Sequence, residues 1–192
     1  WKAGAQSTLL RNQLQAMPDG GKVIISMPLV PYRCPPGPYE RASLIANYLK
    51  KHKPKSKVIL LDANPDVVAK KPLFMKAWST YYKGIFEYVP GKKVTGVDVA
   101  NRTLLVEGIE EFKGDVVNFI PPQRAAAIAA KAGLVGEDKK WCPVNVTTFE
   151  STLQKNIHVI GDSAIAGAMP KSGYSANSQA KVCAINVVAL MN

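Results

Sequence analysis

Along this chain the apolar positions change period several times, and each change marks an element. Leu9, Leu10, Leu14 and Met17 recur at helical spacing, which predicts a helix over residues 5–17. Val23-Ile24-Ile25 is a short continuous apolar run opened by Gly20-Gly21, and it predicts a buried strand over 21–26. Pro38 to about His52 reads as a helix, with Gly37 just before it and proline in its first turn. Val58-Ile59-Leu60-Leu61 predicts a second buried strand ending at Asp62. Strand, helix and strand of these lengths make a βαβ unit. An aromatic-rich helix is expected from Ala69 to about Phe86, followed by strands at 93–98, 103–107 and 116–120, with a turn at Asn101-Arg102. Pro121-Pro122 closes that set. A short Ala-rich helix at 125–132, strands at 144–148 and 157–160, and a last helix from about Tyr174 to Met191 complete the order. Alternation of this kind argues an α/β fold with a mostly parallel sheet. No internal repeat or low-complexity segment interrupts it.

The loop after the first strand is the anomaly. A nucleotide-binding βαβ unit turns there through G-x-G-x-x-G, so that its backbone can approach a pyrophosphate. Here residues 27–37 read MPLVPYRCPPG, with four prolines, one glycine and one cysteine. Proline removes N–H donors and fixes φ, so such a loop is too stiff and too poor in donors to cradle phosphate. It presents one thiol instead, Cys34.

Charge and cysteine content narrow the picture. The net charge is +11 over 192 residues, with much of the excess in the run Lys50 to Lys57. Lysines there complement the end of a helix. An acidic partner is the alternative reading. No nucleic-acid-binding motif accompanies the charge, no apolar run reaches membrane-spanning length, and no metal-site spacing occurs. Trp1-Lys2-Ala3-Gly4 carries no signal-peptide h-region. Three cysteines are too few for a disulfide framework and odd in number. Cys142 precedes a proline and Cys183 lies on the last helix, and both read as structural. His52 in the lysine run and His158 inside a predicted strand are poor candidates for catalysis.

A second motif lies at Thr152 to Asp162, TLQKNIHVIGD. A buried strand ending in Gly161-Asp162 projects a carboxylate from the end of a sheet, where ligands of open α/β sheets bind. The whole pattern resembles the second FAD fingerprint of the pyridine nucleotide-disulfide oxidoreductases, in which the Asp holds the ribityl chain. The following Met169-Pro170-Lys171-Ser172-Gly173 leads into the last helix, whose Ala176, Ala180, Cys183, Ala184, Val187, Val188 and Met191 predict one packed face. A helix N-terminus carries partial positive charge. With Lys171 nearby it would stabilise a reduced flavin anion. Gly161, Asp162, Pro170, Lys171, Ser172 and Gly173 are therefore the candidate cofactor-binding residues.

Five stretches together carry a closer resemblance: RCPPGPYERAS (33–43), NFIPPQRA (118–125), WCPV (141–144), TFESTLQKNIHVIGD (148–162) and MPKSGYSANSQ (169–179). From end to end the chain resembles the flavoprotein subunit of flavocytochrome c sulfide dehydrogenase. The resemblance implies a Rossmann-like FAD/NAD(P)-binding fold of the glutathione-reductase type, incomplete in its FAD domain. It implies a periplasmic FAD enzyme that oxidises sulfide and passes electrons to a cytochrome c subunit. Cys34 then corresponds to one of two redox cysteines beside the flavin. Hydrosulfide would attack their disulfide, leaving a persulfide and a thiolate. Arg33 and the helix that begins near Pro38 both favour the thiolate.

Departures from the family's pattern set further expectations. The N-terminal G-x-G-x-x-G and the cysteine that anchors the flavin covalently are absent, and the second redox cysteine falls beyond Asn192. The chain thus resembles the middle of a longer polypeptide, with residues 1–117 as the nicotinamide-domain equivalent and 118–192 as the later segment of the FAD domain. On that reading it does not retain FAD by itself, and uncovered apolar surface favours a homo-oligomer. A sulfide:quinone oxidoreductase-like enzyme and an isolated domain without activity are the alternatives. A nicotinamide-dependent reductase is disfavoured by the 27–37 loop.

Overall fold

The computed structural model describes residues 4–191. The chain divides into two compact units, one comprising residues 1–30 and 36–122 and the other residues 31–35 and 123–192.

The first unit opens with α1 (Ala5–Ala16), then β1 (Lys22–Met27), α2 (Gly37–His52), β2 (Lys57–Asp62), α3 (Lys71–Tyr81) and β3 (Phe86–Val89). An antiparallel set follows, β4 (Val94–Asp98), β5 (Thr103–Val106) and β6 (Glu110–Lys113), and then β7 (Val116–Phe119). The parallel sheet has the order β3-β2-β1-β7, and β4-β5-β6 form a separate sheet. Side chains alternate across a strand, and that alternation assigns the two faces. Ile24, Ile59 and Leu61 point to one face, where they pack with Leu104, Val106 and Phe112 of the antiparallel sheet. Asp62 belongs to the opposite face and accepts a hydrogen bond from Tyr39 of α2. On its inner side α2 buries Tyr39, Ala42, Ile45, Ala46 and Leu49. The sheet is covered on both faces, which is why β1 and β2 read as continuous apolar runs.

The predicted 69–86 helix ends early, at Tyr81, and a strand that the pattern did not show begins at Phe86. Beyond the helix Gly84 adopts φ +81°, a left-handed turn conformation, and Phe86–Val89 then pairs in parallel with β2. β6 also escaped the pattern reading. Its residues, Glu-Glu-Phe-Lys, are mostly exposed and carry no apolar alternation.

The second unit holds α4 (Ala127–Lys131), β8 (Cys142–Pro143), a 3-10 turn at Gly161–Ser163, β9 (Ala164–Ile165) and α5 (Gly173–Met191). Its only strand ladder among the described residues is the short parallel pair β8-β9. The expected strands at 144–148 and 157–160 are isolated bridges instead, Val144 with Ser151 and Glu150 with His158. Ile160 has extended backbone angles, but a strand exists only by virtue of a neighbour that accepts its hydrogen bonds. Two small cores hold the unit. One gathers Ala125, Ala129, Leu134, Trp141 and Cys142, and the other Val144, Phe149, Ala164 and Ala166 with Cys183 packed against it.

Along α5 the packed stripe is narrower than its sequence suggests. Ala176, Ala180, Cys183 and Val187 are half-buried, while Ala184, Val188 and Met191 are exposed.

Candidate functional site

Residues Pro31–Pro35 belong to the second unit, although the strand before them and the helix after them belong to the first. Hydrogen bonds hold this segment in place. The Cys34 N–H donates to the Lys171 carbonyl at 2.8 Å. The Arg33 N–H donates to Gln123 Oε1 at 2.8 Å, and Arg33 Nη2 donates to the Arg124 carbonyl at 2.6 Å. Tyr32 donates its hydroxyl proton to the Pro35 carbonyl. Cys34 itself is exposed and has φ +55°. Left-handed backbone is uncommon for a residue with a Cβ, and a following proline restricts it further. Such a conformation costs on the order of 1–3 kcal/mol and persists where the surroundings impose it.

The Gly161-Asp162 corner lies in the same unit. Gly161 adopts φ +71°, and a Cβ placed there would meet the Ala176 Cβ at 3.4 Å. Its N–H donates to Gln179 Oε1 at 2.7 Å, so a glutamine buried on α5 fixes the corner. The Asp162 carboxylate is 38% exposed and lies 3.9 Å from Arg33 Nε. The segment before α5 is also ordered by local bonds. Ser172 caps the helix through its Oγ, which accepts from the Ser175 N–H. That leaves the amides of Gly173 and Tyr174 in the open first turn. Pro170 contributes its carbonyl to the Ser172 N–H at 2.9 Å.

Lys171 does not extend into solvent. It is 6% exposed, and its Nζ donates to the carbonyls of Asp162 at 3.0 Å and Ala164 at 2.7 Å. The same ammonium sits 3.8 Å from the centroid of the Trp141 ring, with the Arg33 guanidinium 5.3 Å from that centroid. Burial pushes the Lys171 amine down to about 8, opposed chiefly by the charge of Asp162. Cys142 is fully buried in the adjacent core, and that burial pushes its thiol up. Cys183 packs against the other core.

The structure therefore gathers Cys34, Asp162, Lys171 and the start of α5 into one unit. Trp141, the ring on which the two cations converge, was legible only as part of a matching stretch. A fully buried aromatic next to a buried cysteine gave no local hint of what would lie over its face.

A half-exposed carboxylate after a glycine corner suits the hydroxyl groups of a ribityl chain. A capped helix with open first-turn amides and a buried cation suits an electron-rich ring edge. The donor set fits a flavin on both counts. Among the described residues no group of His, Cys, Asp and Glu could hold a metal ion.

The covered parallel sheet followed by this glycine-aspartate corner defines the class: an α/β protein with the FAD/NAD(P)-binding fold of the disulfide oxidoreductases. Among solved structures, the sulfide:quinone oxidoreductase of Aquifex aeolicus shares the fold with a TM-score of 0.70 at 20% identity over 97% of this chain and 47% of that one. A mutant of the HOCl-induced flavoprotein disulfide reductase RclA of Escherichia coli, in its Cu(II) complex, matches with a TM-score of 0.59 at 16% identity, over 88% of this chain and 36% of that one. Reduced CoADR-RHD of Bacillus anthracis matches at 0.56 and 15% identity, over 88% of this chain and 29% of that one. The chain thus spans about half the length of the first of these, 47%. Residues 7–121 match the family model of the sulfide dehydrogenase (flavocytochrome c) flavoprotein chain, central part. The chain belongs to that family. No described helix is long and apolar enough to cross a membrane.

Proposed function

We propose that this chain is the thiol-bearing part of a flavin-dependent sulfide dehydrogenase that delivers electrons to a cytochrome c subunit in the periplasm. The observation that carries the reading is the attachment of Cys34 to the second unit. Its N–H bonds to Lys171 at 2.8 Å, and the neighbouring Arg33 lies 3.9 Å from Asp162. The thiol-bearing segment is thereby tied to both segments that match flavin motifs. Family membership supports the choice of sulfide as substrate.

In this reading Cys34 forms a disulfide with a second cysteine that the family resemblance places beyond residue 192. The sulfur of hydrosulfide attacks one sulfur of that disulfide. A new S–S bond forms as the old one breaks, giving a persulfide on one cysteine and a thiolate on the other. The sulfide sulfur is oxidised, the disulfide is reduced, and the hydrosulfide proton passes to solvent. A thiolate is the competent nucleophile and leaving group in such exchange. FAD, when bound, supplies acceptance of an electron pair and its release one electron at a time to haem. The Asp162 carboxylate would hold its ribityl hydroxyls against the Gly161 corner. Pro170, Ser172 and Gly173 would shape the approach of the ring edge, and the buried Lys171 charge would add to the positive field there.

The test is sulfide-dependent reduction of cytochrome c by the flavin-loaded full-length enzyme, with Cys34→Ser alongside and a quinone acceptor in a parallel arm. The expected result is cytochrome reduction that Cys34→Ser abolishes while flavin stays bound. Undiminished turnover of Cys34→Ser would overturn the reading, and reduction of quinone alone would replace the acceptor.

A further inference from the structure

We propose that Lys171 and Trp141 form a clamp that fixes the Cys34 backbone against the Gly161-Asp162 corner, acting as positioning residues for the thiol. For its functional consequence this rests on the reading of Cys34 given above.

The geometry runs through one lysine. Its carbonyl accepts the Cys34 N–H. Its ammonium donates to the carbonyls of Asp162 and Ala164. Backbone and side chain of Lys171 thus bridge the two segments that the chemistry needs together. A buried ammonium has three protons to satisfy. Two go to carbonyls, and the third direction is taken by the indole face at 3.8 Å. An aromatic face attracts a cation, more strongly when both are desolvated.

Trp141 is placed for this by its own neighbours. Asp138 Oδ1 accepts the N–H groups of Lys140 and Trp141 at 2.8 and 3.0 Å, and the Trp141 carbonyl accepts the Gly136 N–H at 2.8 Å. The ring is 1% exposed. Its Nε1–H is buried with no acceptor among the described residues. An unsatisfied buried donor costs free energy, so hydrogen bonding does not explain the choice of Trp here. The ring faces do: Lys171 and Arg33 both lie within cation–π reach, and Arg33 is the residue next to Cys34. The clamp accounts for the left-handed Cys34, which would otherwise relax.

Hydrogen exchange at the Cys34 amide in the 192-residue chain reads the clamp directly. Lys171→Met keeps the apolar stem and removes the charge, and it is expected to speed exchange roughly tenfold, the worth of about one hydrogen bond. Trp141→Leu is expected to do the same, whereas Trp141→Phe, which keeps a π face, should stay within about twofold of wild type. An unchanged rate in a folded Lys171→Met, or Phe no better than Leu, would overturn the proposal. Should the variants fail to fold, the wild-type Trp141 indole NMR signal decides. It is expected to shift as Lys171 loses its proton, with Asp162, Arg33, Cys142 and Asp138 as the charged or titratable groups facing that amine. No shift would overturn the clamp. None of these readouts uses flavin, sulfide or cytochrome. The clamp can therefore fail while Cys34 remains essential for turnover, and the function can fail while exchange protection persists.

Discussion

The amide of Cys34 donates to the carbonyl of Lys171 at 2.8 Å. This bond joins the one exposed cysteine to the lead-in of the last helix, and it has consequences for reactivity. Cys34 is accessible, whereas Cys142 is fully buried and its thiol is held in the neutral form by that burial. A thiol probe is expected to modify Cys34 first. Mass spectrometry showing Cys142 modified ahead of Cys34 would contradict the assignment. Cys142→Ser should instead cost stability, about 1–3 kcal/mol for a polar group placed in an apolar core, measured as a lower denaturant midpoint.

A second relationship concerns nicotinamide cofactors. Folds that bind them place an acidic residue at the end of the second strand for the ribose hydroxyl. Asp62 occupies that position, but it is fully buried. Its carboxylate accepts from the Tyr39 and Tyr88 hydroxyls at 2.8 Å each, and from the backbone and side-chain N–H groups of Asn64 at 2.8 Å. Its acceptor capacity is spent on its own unit. Together with the proline-rich loop, this predicts no NADH or NADPH binding. Titration calorimetry showing micromolar affinity would contradict it. Asp62→Asn should destabilise the first unit by about 1–3 kcal/mol, since it mismatches a buried hydrogen-bond network.

The sequence made the βαβ unit readable because β1 and β2 are buried on both faces and so appear as unbroken apolar runs. It hid β3, whose Phe-Glu-Tyr-Val is continuous with an aromatic helix unless Gly84 is taken as a stop. The second unit was harder, because its extended segments at 144–148 and 157–160 have no ladder to define them. At the site, Cys34 and Gly161-Asp162 stood out by local motif. Lys171 was legible as a charge near α5, but its burial over Trp141 depends on chain segments far apart in sequence, which no local pattern encodes.

Gly161 offers a test of the corner. Its φ of +71° is accessible to glycine and strained for residues with a Cβ, and the added atom would contact Ala176. Gly161→Ala is expected to cost about 1–2 kcal/mol from backbone strain. It should also weaken flavin retention in the cofactor-loaded full-length enzyme, because the Asp162 carboxylate would turn with the corner. Thermal unfolding and flavin absorbance after gel filtration measure the two effects. Unchanged stability would remove the strain argument, and unchanged retention would remove Asp162 from the flavin site.

Lys171 contributes to the pH dependence of the second unit. Its amine titrates at about 8 when folded, against an ordinary value of 10.5. Between those values the unfolded chain holds a proton that the folded chain has released. The Lys171 contribution to stability therefore rises with pH through that window, because folding no longer requires a charged amine to be buried. Below about 8 both states are protonated, and the desolvation cost is present in full. In Lys171→Met this contribution disappears. The expected result is that the wild-type denaturant midpoint gains on that of Lys171→Met as pH increases from neutral toward 10.5. The difference between the two proteins cancels the titration of tyrosines that both share. Parallel pH profiles would mean that the folded amine titrates like an exposed lysine, and that the stacked geometry over Trp141 does not persist in solution.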